Sequence, residues 1–508
     1  MKTIKITFIG LLCLLSATAQ NKQSLVPDTP SKAPDYFCTW NIQGYLVSYQ
    51  GGEATRKAMN EENLFHTGKY QNWVDFFPSI RKDLYFVLDD SWDIPRDANN
   101  TPNPYLGLVE LNEERFPSFQ GTPQERLKQF NDRIKAKGWK GAGGWICAQK
   151  ADIHRQTDEK AYWTKRIKAA NEAGFDYWKV DWGNNSRNGE WRKMLTEIAK
   201  QHAPNLWIEH ACDNKFIEFS DVFRTYDVEN ITAQPVTIQR ICNLLPLCAT
   251  GQVKGMINCE DEPYIAAGLG CAIGVMRHPY VGSMPDGKQD ITFPPVGRDI
   301  KRRLDEIVRG VRWHRLAEPF GVTGKDFEID PARLEDYWTL GPDETWDRGR
   351  KVGSVVKESA PARVSRGMPL PETSDNTSAD RPFILASRYA NGATAIASIG
   401  RSLNHDYISK KIGVTIPIEQ IEAPIGVFGY FKDLTLVLPN ASTIKGYKIL
   451  AQDLAGDTPL DITQKVKTNG NKVTIPGELL SSIGLMKASA NDCSDPGLVI
   501  RLFKKKSN

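Results

Sequence analysis

The chain carries almost no net charge: 65 Lys and Arg stand against 61 Asp and Glu, a formal +4 over 508 residues. That balance offers no electrostatic hold on nucleic acid, which is therefore not expected as a partner. The basic tail Lys504-Lys505-Lys506 is short and reads as solvated. Histidine is scarce, with seven residues and no H-x-x-x-H pair, and the nine cysteines include no C-x-x-C. Structural zinc and metal-dependent catalysis thus have no sequence support, and no metal or other cofactor is expected. Beyond residue 15 there is no apolar run long enough for a membrane span. The one apolar run, Ile6 to Leu15, follows Lys2 and Lys5 and precedes Ala17-Thr18-Ala19. That order reads as a secretory signal over residues 1–19, so an exported protein, periplasmic or extracellular, is expected.

What is present is ordinary for a globular protein: 40% hydrophobic and 25% charged residues, in a chain long enough for two or more domains. Thirteen Trp and sixteen Tyr supply flat amphipathic surface that suits sugar faces, although most such rings belong in cores. From 36 to 320 strand-like and helix-like segments alternate. Strands are predicted at 39–47, 84–89, 140–147, 177–181, 206–209, 222–226, 253–259 and 273–277, with amphipathic helices at 123–137, 158–173, 191–202 and 298–316. Eight such units over about 280 residues match a (β/α)8 TIM barrel. From 325 to 508 the texture changes to short β-type runs separated by Gly, Asn, Asp and Pro, which predicts a C-terminal antiparallel β-sandwich domain. Residues 351–381, rich in Ser, Pro, Arg and Glu, read as a surface loop or linker.

Catalytic residues of a barrel sit at the C-terminal ends of its strands, and there the sequence concentrates carboxylates. Asp89 and Asp90 end strand two, Asp181 ends strand four, and Glu209 and Asp213 lie at or after strand five. Arg224 and Asp227 end strand six, and Glu260-Asp261-Glu262 follow strand seven, readable as an exposed acidic loop or as a rim. In Phe175-Asp176-Tyr177-Trp178-Lys179-Val180-Asp181-Trp182, Lys179 and Asp181 stand two apart and should project to one face. A fixed ammonium would keep Asp181 ionised, and an ionised, fixed carboxylate can act as a nucleophile. A ring of acids without metal-binding His points to glycosyl chemistry, with an oligosaccharide or polysaccharide as substrate. Trp92, Trp178 and Trp182 read as packing residues, Asp89-Asp90 could instead cap a helix, and Asp213 could be a turn residue.

These motifs, in this order, resemble the α-galactosidase (melibiase-type) retaining glycoside hydrolases of families 27 and 36. Leu88-Asp89-Asp90-Ser91-Trp92 is similar to the family's D-D-x-W, and Arg115-Phe116-Pro117 and Lys137-Gly138-Trp139-Lys140 to its run into strand three. Lys179-Val180-Asp181 is similar to K-x-D, Cys212-Asp213 to C-E, and Trp40-Asn41 to W-N. The resemblance implies Asp181 as nucleophile and Asp227 as acid/base, with Glu229 the alternative acid. It further implies Asp89 and Asp90 on the sugar 4- and 6-hydroxyls, Lys179 and Arg224 as sugar ligands, Asp213 toward the 2-hydroxyl, and Trp40 or Trp145 stacking on the ring. On this reading Lys179 holds Asp181 low, and Arg224 faces the sugar or Asp213.

The chain departs from the pattern in three places. One residue fewer separates Arg224 from Asp227, Asp213 replaces the longer Glu, and Gly143-Gly144-Trp145-Ile146 has an extra residue and a Trp where Tyr is common. The sugar therefore stays open among α-galactose, β-L-arabinopyranose, α-N-acetylgalactosamine and an α-glucan. A non-catalytic sugar-binding barrel and a transglycosylase are the readings of other classes. Oligomeric state and disulfide pairing are not legible.

Overall fold

The computed structural model describes residues 23–98, 103–225, 232–247, 255–288, 298–322, 326–342, 351–439 and 446–505. The expected signal segment lies outside them, as do Asp227 and Glu229. Among the described residues no helix is long and apolar enough to cross a membrane.

Eight parallel strands close into a barrel in chain order: β1 (Tyr36–Cys38), β2 (Tyr85–Leu88), β3 (Gly141–Ile146), β4 (Phe175–Val180), β5 (Trp207–His210), β6 (Val222–Arg224), β7 (Met256–Glu260) and β8 (Ala272–Val275). Alternation along each strand divides two cores. Phe37, Phe86, Leu88, Trp178, Val180, Ile208, Phe223, Ile257 and Ile273 face outward into the cluster shared with the surrounding helices. Tyr36, Cys38, Val87 and Tyr177 face inward, with Tyr85 and Trp207 packed against them. The pairing of β3 with β4 steps from Ala142↔Phe175 to Gly143↔Tyr177, so Asp176 is an extra residue bulged out of β4. The bulge keeps Phe175 outward and aims Tyr177, Lys179 and Asp181 inward. Gly143 leaves the room this needs, because a Cβ there would lie 2.6 Å from that of Tyr177.

The first strand differs from expectation. Residues 40–46 form helix α1 (Trp40–Leu46), and the strand is the preceding Tyr36–Cys38. The segment's apolar residues fit both periods, and Ile42 and Tyr45, three apart, are the ones that bury. Two short helices, α2 (Gly52–Lys57) and α3 (Glu61–Phe65), complete that long β1–β2 excursion. The outer helices are α4 (Pro123–Ala136), α5 (Glu159–Ala173), α6 (Gly189–His202), α7 (Ala233–Leu244), α8 (Pro263–Leu269) and α9 (Leu304–Trp313). Helix α4 starts where the sequence says it should: Thr122 and Glu125 form a reciprocal capping box, Pro123 takes the first turn, and Leu127, Phe130 and Ile134 bury. Sequence periodicity overextends the last helix, since Ile300–Arg302 is a separate 3-10 turn before α9.

The C-terminal region holds sheets of four, eight and five strands. Its pairings are mixed: Thr394–Ile399 runs parallel to Ile425–Gly429, and Gly413–Pro417 parallel to Asp433–Val437, among antiparallel neighbours. Residues 351–381, expected as loop or linker, carry strands Val355–Pro361, Arg363–Arg366 and Glu372–Thr373. Their polar composition concealed them because Val355–Pro361 lies beside Arg333–Thr339 with one face to solvent. One face of the eight-stranded sheet packs, through Ile384, Ile396, Val427 and Ile500, on the five-stranded sheet's Val414, Leu434 and Ile475. The other face, through Leu385, Ala397 and Val499, joins the barrel core at Tyr264 and Trp313. Gly268 of α8 permits this approach, since a Cβ there would lie 2.9 Å from that of Ala397.

Charge crosses the same interface. Arg309 of α9, fully buried, forks onto Asp453 at 3.0 and 3.3 Å, and Arg303 meets Asp495 at 3.1 Å. Tyr264 donates to the Asp495 carbonyl and Tyr389 to the Ala267 carbonyl, each at 2.7 Å. This interface is built like a core, so the β-domain buttresses the barrel. Arg309→Met should lower the chain's stability by about 3–5 kcal/mol, because Asp453 would remain buried without its cation. Chemical denaturation measures it, and a shift of under about 1 kcal/mol would mean that the pair is solvated.

Candidate active site

The inward residues at the C-terminal ends of β2, β4, β5, β6 and β7 form one charged cluster. Asp181 follows β4 directly and keeps 8% of its surface exposed at the barrel mouth. Its Oδ1 faces Arg224 Nη2 at 3.1 Å, and its Oδ2 accepts from Trp145 Nε1 at 3.0 Å. Arg192 of α6 donates to the Asp181 carbonyl at 2.5 Å, so the backbone is fixed as well. Burial pushes the Asp181 carboxyl upward, but Arg224, then Lys179 and the Trp145 hydrogen bond outweigh it, leaving it below the usual carboxylate range. Asp181 is therefore ionised, oriented and reachable.

Lys179 points to the same interior but does not pair with Asp181. Its Nζ meets Asp89 Oδ2 at 2.9 Å, Cys38 Sγ at 3.4 Å and Glu260 Oε1 at 3.7 Å. Burial disfavours its charge, yet Asp89, Cys38 and Glu260 together outweigh it and raise the ammonium above its usual range. Arg224, expected toward the sugar or Asp213 rather than Asp227, is the principal counter-ion of Asp181. Its Nη1 lies 3.8 Å from Glu209 and 3.9 Å from Glu260. The physical reason is reach: β6 stands two strands from β4, and its long guanidinium spans the interior to carboxylates on either side.

Asp89 also accepts from the Cys38 thiol at 2.8 Å, and its Oδ1 accepts the Asp90 amide at 2.8 Å. Asp90 takes Arg56 of α2 at 2.9 Å on Oδ2 and the Ser91 hydroxyl at 2.9 Å on Oδ1. Neither acid caps a helix, because turns follow β2. Glu260, Asp261 and Glu262 do not form an exposed loop: all three are buried. Glu260 accepts from Tyr36 Oη at 3.2 Å, Asp261 binds the Met276 and Arg277 amides at 2.7 and 3.1 Å, and Glu262 pairs with Arg298. Burial, only partly offset by Arg277, raises Asp261 to about 6.

The aromatic residues are arranged otherwise than expected. Trp145 is 1% exposed, its ring edge turned to Asp181, because Ile94, Leu106 and Cys147 cover it. Trp40 and Trp182 are half-buried, and Trp182 sits 5.3 Å from Trp145, centroid to centroid. Asp213 is exposed and caps the 3-10 turn Asn214–Glu218 by accepting the Lys215 amide at 3.0 Å, the turn role that its sequence allowed. Ser91, Cys212 and Asp261, just past the ends of β2, β5 and β7, all hold left-handed backbone at φ 82°, 81° and 51°. Non-glycine residues there store strain.

Sequence reasoning missed Tyr36, Cys38 and Arg56. The first two stand two apart on β1 and follow the inward period, a signal hidden by placing the strand after them. Arg56 carries no signal, since it reaches Asp90 from a loop helix 34 residues away. In Arg224→Gln the Asp181 carboxyl should titrate about 1–3 pH units higher, and in Lys179→Met by less. Infrared difference titration reads this, and a larger shift in the lysine variant would overturn the assignment of Arg224 as principal counter-ion.

No family model and no curated protein matches the chain. Among solved structures it is similar to α-galactosidase I from Mortierella vinacea, at 12% identity and TM-score 0.40, with 96% of this chain and 100% of that one covered. A family 27 β-L-arabinopyranosidase from Geobacillus stearothermophilus, in complex with arabinose, aligns at 10% identity and TM-score 0.36, covering 94% and 98%. An Anoxybacillus α-amylase aligns at 10% identity and TM-score 0.41, covering 94% and 98%.

Proposed function

We propose that the chain is an exported, exo-acting, retaining glycoside hydrolase that removes terminal α-linked galactose. The observation that carries this reading is Asp181: an ionised carboxylate with both oxygens anchored by Arg224 and Trp145, open to the mouth of a closed barrel. Such a group is a nucleophile held at one attack angle. Asp181 attacks the anomeric carbon as the glycosidic C–O bond breaks, and an acid delivers a proton to the leaving oxygen. The same group, as its conjugate base, then takes a proton from the water that releases the sugar from Asp181. Asp227 is our candidate for that role and Glu229 its alternate. Retention requires about 5–5.5 Å between the two carboxyls.

Asp89 and Asp90 each retain lone pairs beyond their present partners, so both can accept sugar hydroxyls. Lys179 holds Asp89 in place, and the half-buried Trp40 offers a ring for the sugar's apolar face. Asp213, exposed at the mouth, is placed for the 2-hydroxyl only if its turn contact is given up on binding. Because a matched polar pocket rejects an analogue lacking one hydroxyl strongly, one sugar should dominate.

Nitrophenol release from α-galactoside, β-L-arabinopyranoside, α-N-acetylgalactosaminide and α-glucoside tests the proposal. Turnover of the α-galactoside with a retained product anomer is expected, and Asp181→Asn should lower kcat by about a thousandfold or more. Turnover of another member would reassign the sugar. Full activity in Asp181→Asn would remove the mechanism, and sugar binding without turnover would favour a binding protein.

A further inference from the structure

Beneath Asp181 lies a second carboxyl that the hydrolytic scheme does not use. Glu209 of β5 has no exposed surface. Its Oε2 accepts from Tyr177 Oη of β4 at 2.7 Å, and its Oε1 lies 3.4 Å from Tyr36 Oη of β1 and 3.8 Å from Arg224 of β6. Glu260 of β7 shares both Arg224 and the Tyr36 hydroxyl with it, and Lys179 of β4 stands beside both. Tyr85 of β2 packs on the Tyr177 ring at 5.6 Å, and Gly274 of β8 leaves space for the Tyr36 hydroxyl.

Among the described residues, charge in this interior does not balance. Asp89, Asp181, Glu209 and Glu260 are four buried carboxyls, and Lys179 and Arg224 are the two cations they share. Unpaired charge in a closed, low-dielectric barrel is costly, so one carboxyl is best kept neutral. Asp181 and Asp89 have the short contacts to cations, at 3.1 and 2.9 Å, and Glu260 lies near both cations, at 3.7 and 3.9 Å, whereas Glu209 has two tyrosine hydroxyls and a single long approach, to Arg224. Glu209 is the group placed to carry the proton.

We propose that Glu209 is a positioning residue of the sugar site: neutral, it leaves Arg224 to Asp181, and ionised, it draws Arg224 away. Burial, reinforced by Glu260 and opposed by Arg224 and Lys179, lifts its carboxyl to about 7, so the change falls in the neutral range. The inference rests on the hydrolase reading for its catalytic consequence and on the cluster alone for its protonation.

The test uses dinitrophenyl α-galactoside, whose leaving group needs no protonation, so that loss of the general acid's proton does not shape the first step. In wild type kcat/KM should fall about tenfold as pH rises from about 6.5 to about 8. In Glu209→Gln that decline should vanish, whatever the absolute rate. In Tyr177→Phe, which removes a hydrogen bond favouring the ionised form, its midpoint should move to higher pH. An unchanged decline in Glu209→Gln, or an unmoved midpoint in Tyr177→Phe, would overturn the proposal.

If no glycoside is turned over, the hydrolase reading fails separately and thermal unfolding decides. A carboxyl raised by folding binds its proton more tightly in the native state, so the stability it contributes is lost as pH rises from its unfolded value through about 7. Wild-type Tm should therefore fall between about pH 5 and 8 relative to Glu209→Gln. Parallel Tm profiles would overturn the protonation itself.

Discussion

The guanidinium of Arg224 is the charge on which the barrel interior depends. It faces Asp181 at 3.1 Å, Glu209 at 3.8 Å and Glu260 at 3.9 Å, with 2% of its own surface exposed. Carboxylates from β5 and β7 and from the end of β4 could not be buried together without a cation among them. Lys179 supplies the second, and binds the cluster to β2 through Asp89. A lysine at position 224 would be a point charge where a planar fork is used on several sides at once.

The same arrangement separates the roles of like groups. Asp181 stays ionised because its two oxygens meet a guanidinium and an indole N–H, while Glu209, one strand away and fully buried with only a long approach to Arg224, is raised by its burial. Environment divides carboxyls that the sequence presents as equivalent, and such division marks sites that handle both nucleophile and proton. Strained backbone at Ser91, Cys212 and Asp261 surrounds the mouth. The buttress, crossed by the Arg309–Asp453 pair, packs on α8 and α9, which follow β7 and β8. A site under strain needs such rigid support.

Much of the fold was legible in the sequence. Seven of the eight barrel strands fall where alternation and flanking turns place them, because outward residues such as Trp178 and Val180 must meet helices and inward ones must not. The first strand was misplaced because a three-residue strand carries too little period to compete with the helix after it. The strands within 351–381 were missed because a half-exposed sheet needs few apolar residues. Of the candidate site, Asp89, Asp90, Lys179, Asp181 and Arg224 converge as their strand positions imply, whereas Trp145 is buried and Asp213 is turned to its own loop.

By itself the sequence determined the alternation that sends Lys179 and Asp181 inward, the helix caps, and the collection of carboxylates at one end of the strands. Those are consequences of local geometry, which a run of six residues already contains. Only the tertiary structure decided which cation serves which acid. Lys179 and Asp181 are neighbours in the chain, yet the lysine belongs to Asp89, Arg224 belongs to Asp181, and Arg56 arrives from a loop helix to hold Asp90. Barrel closure and strand register set those distances, and Coulomb interactions follow separation in space, so no spacing along the chain encodes them.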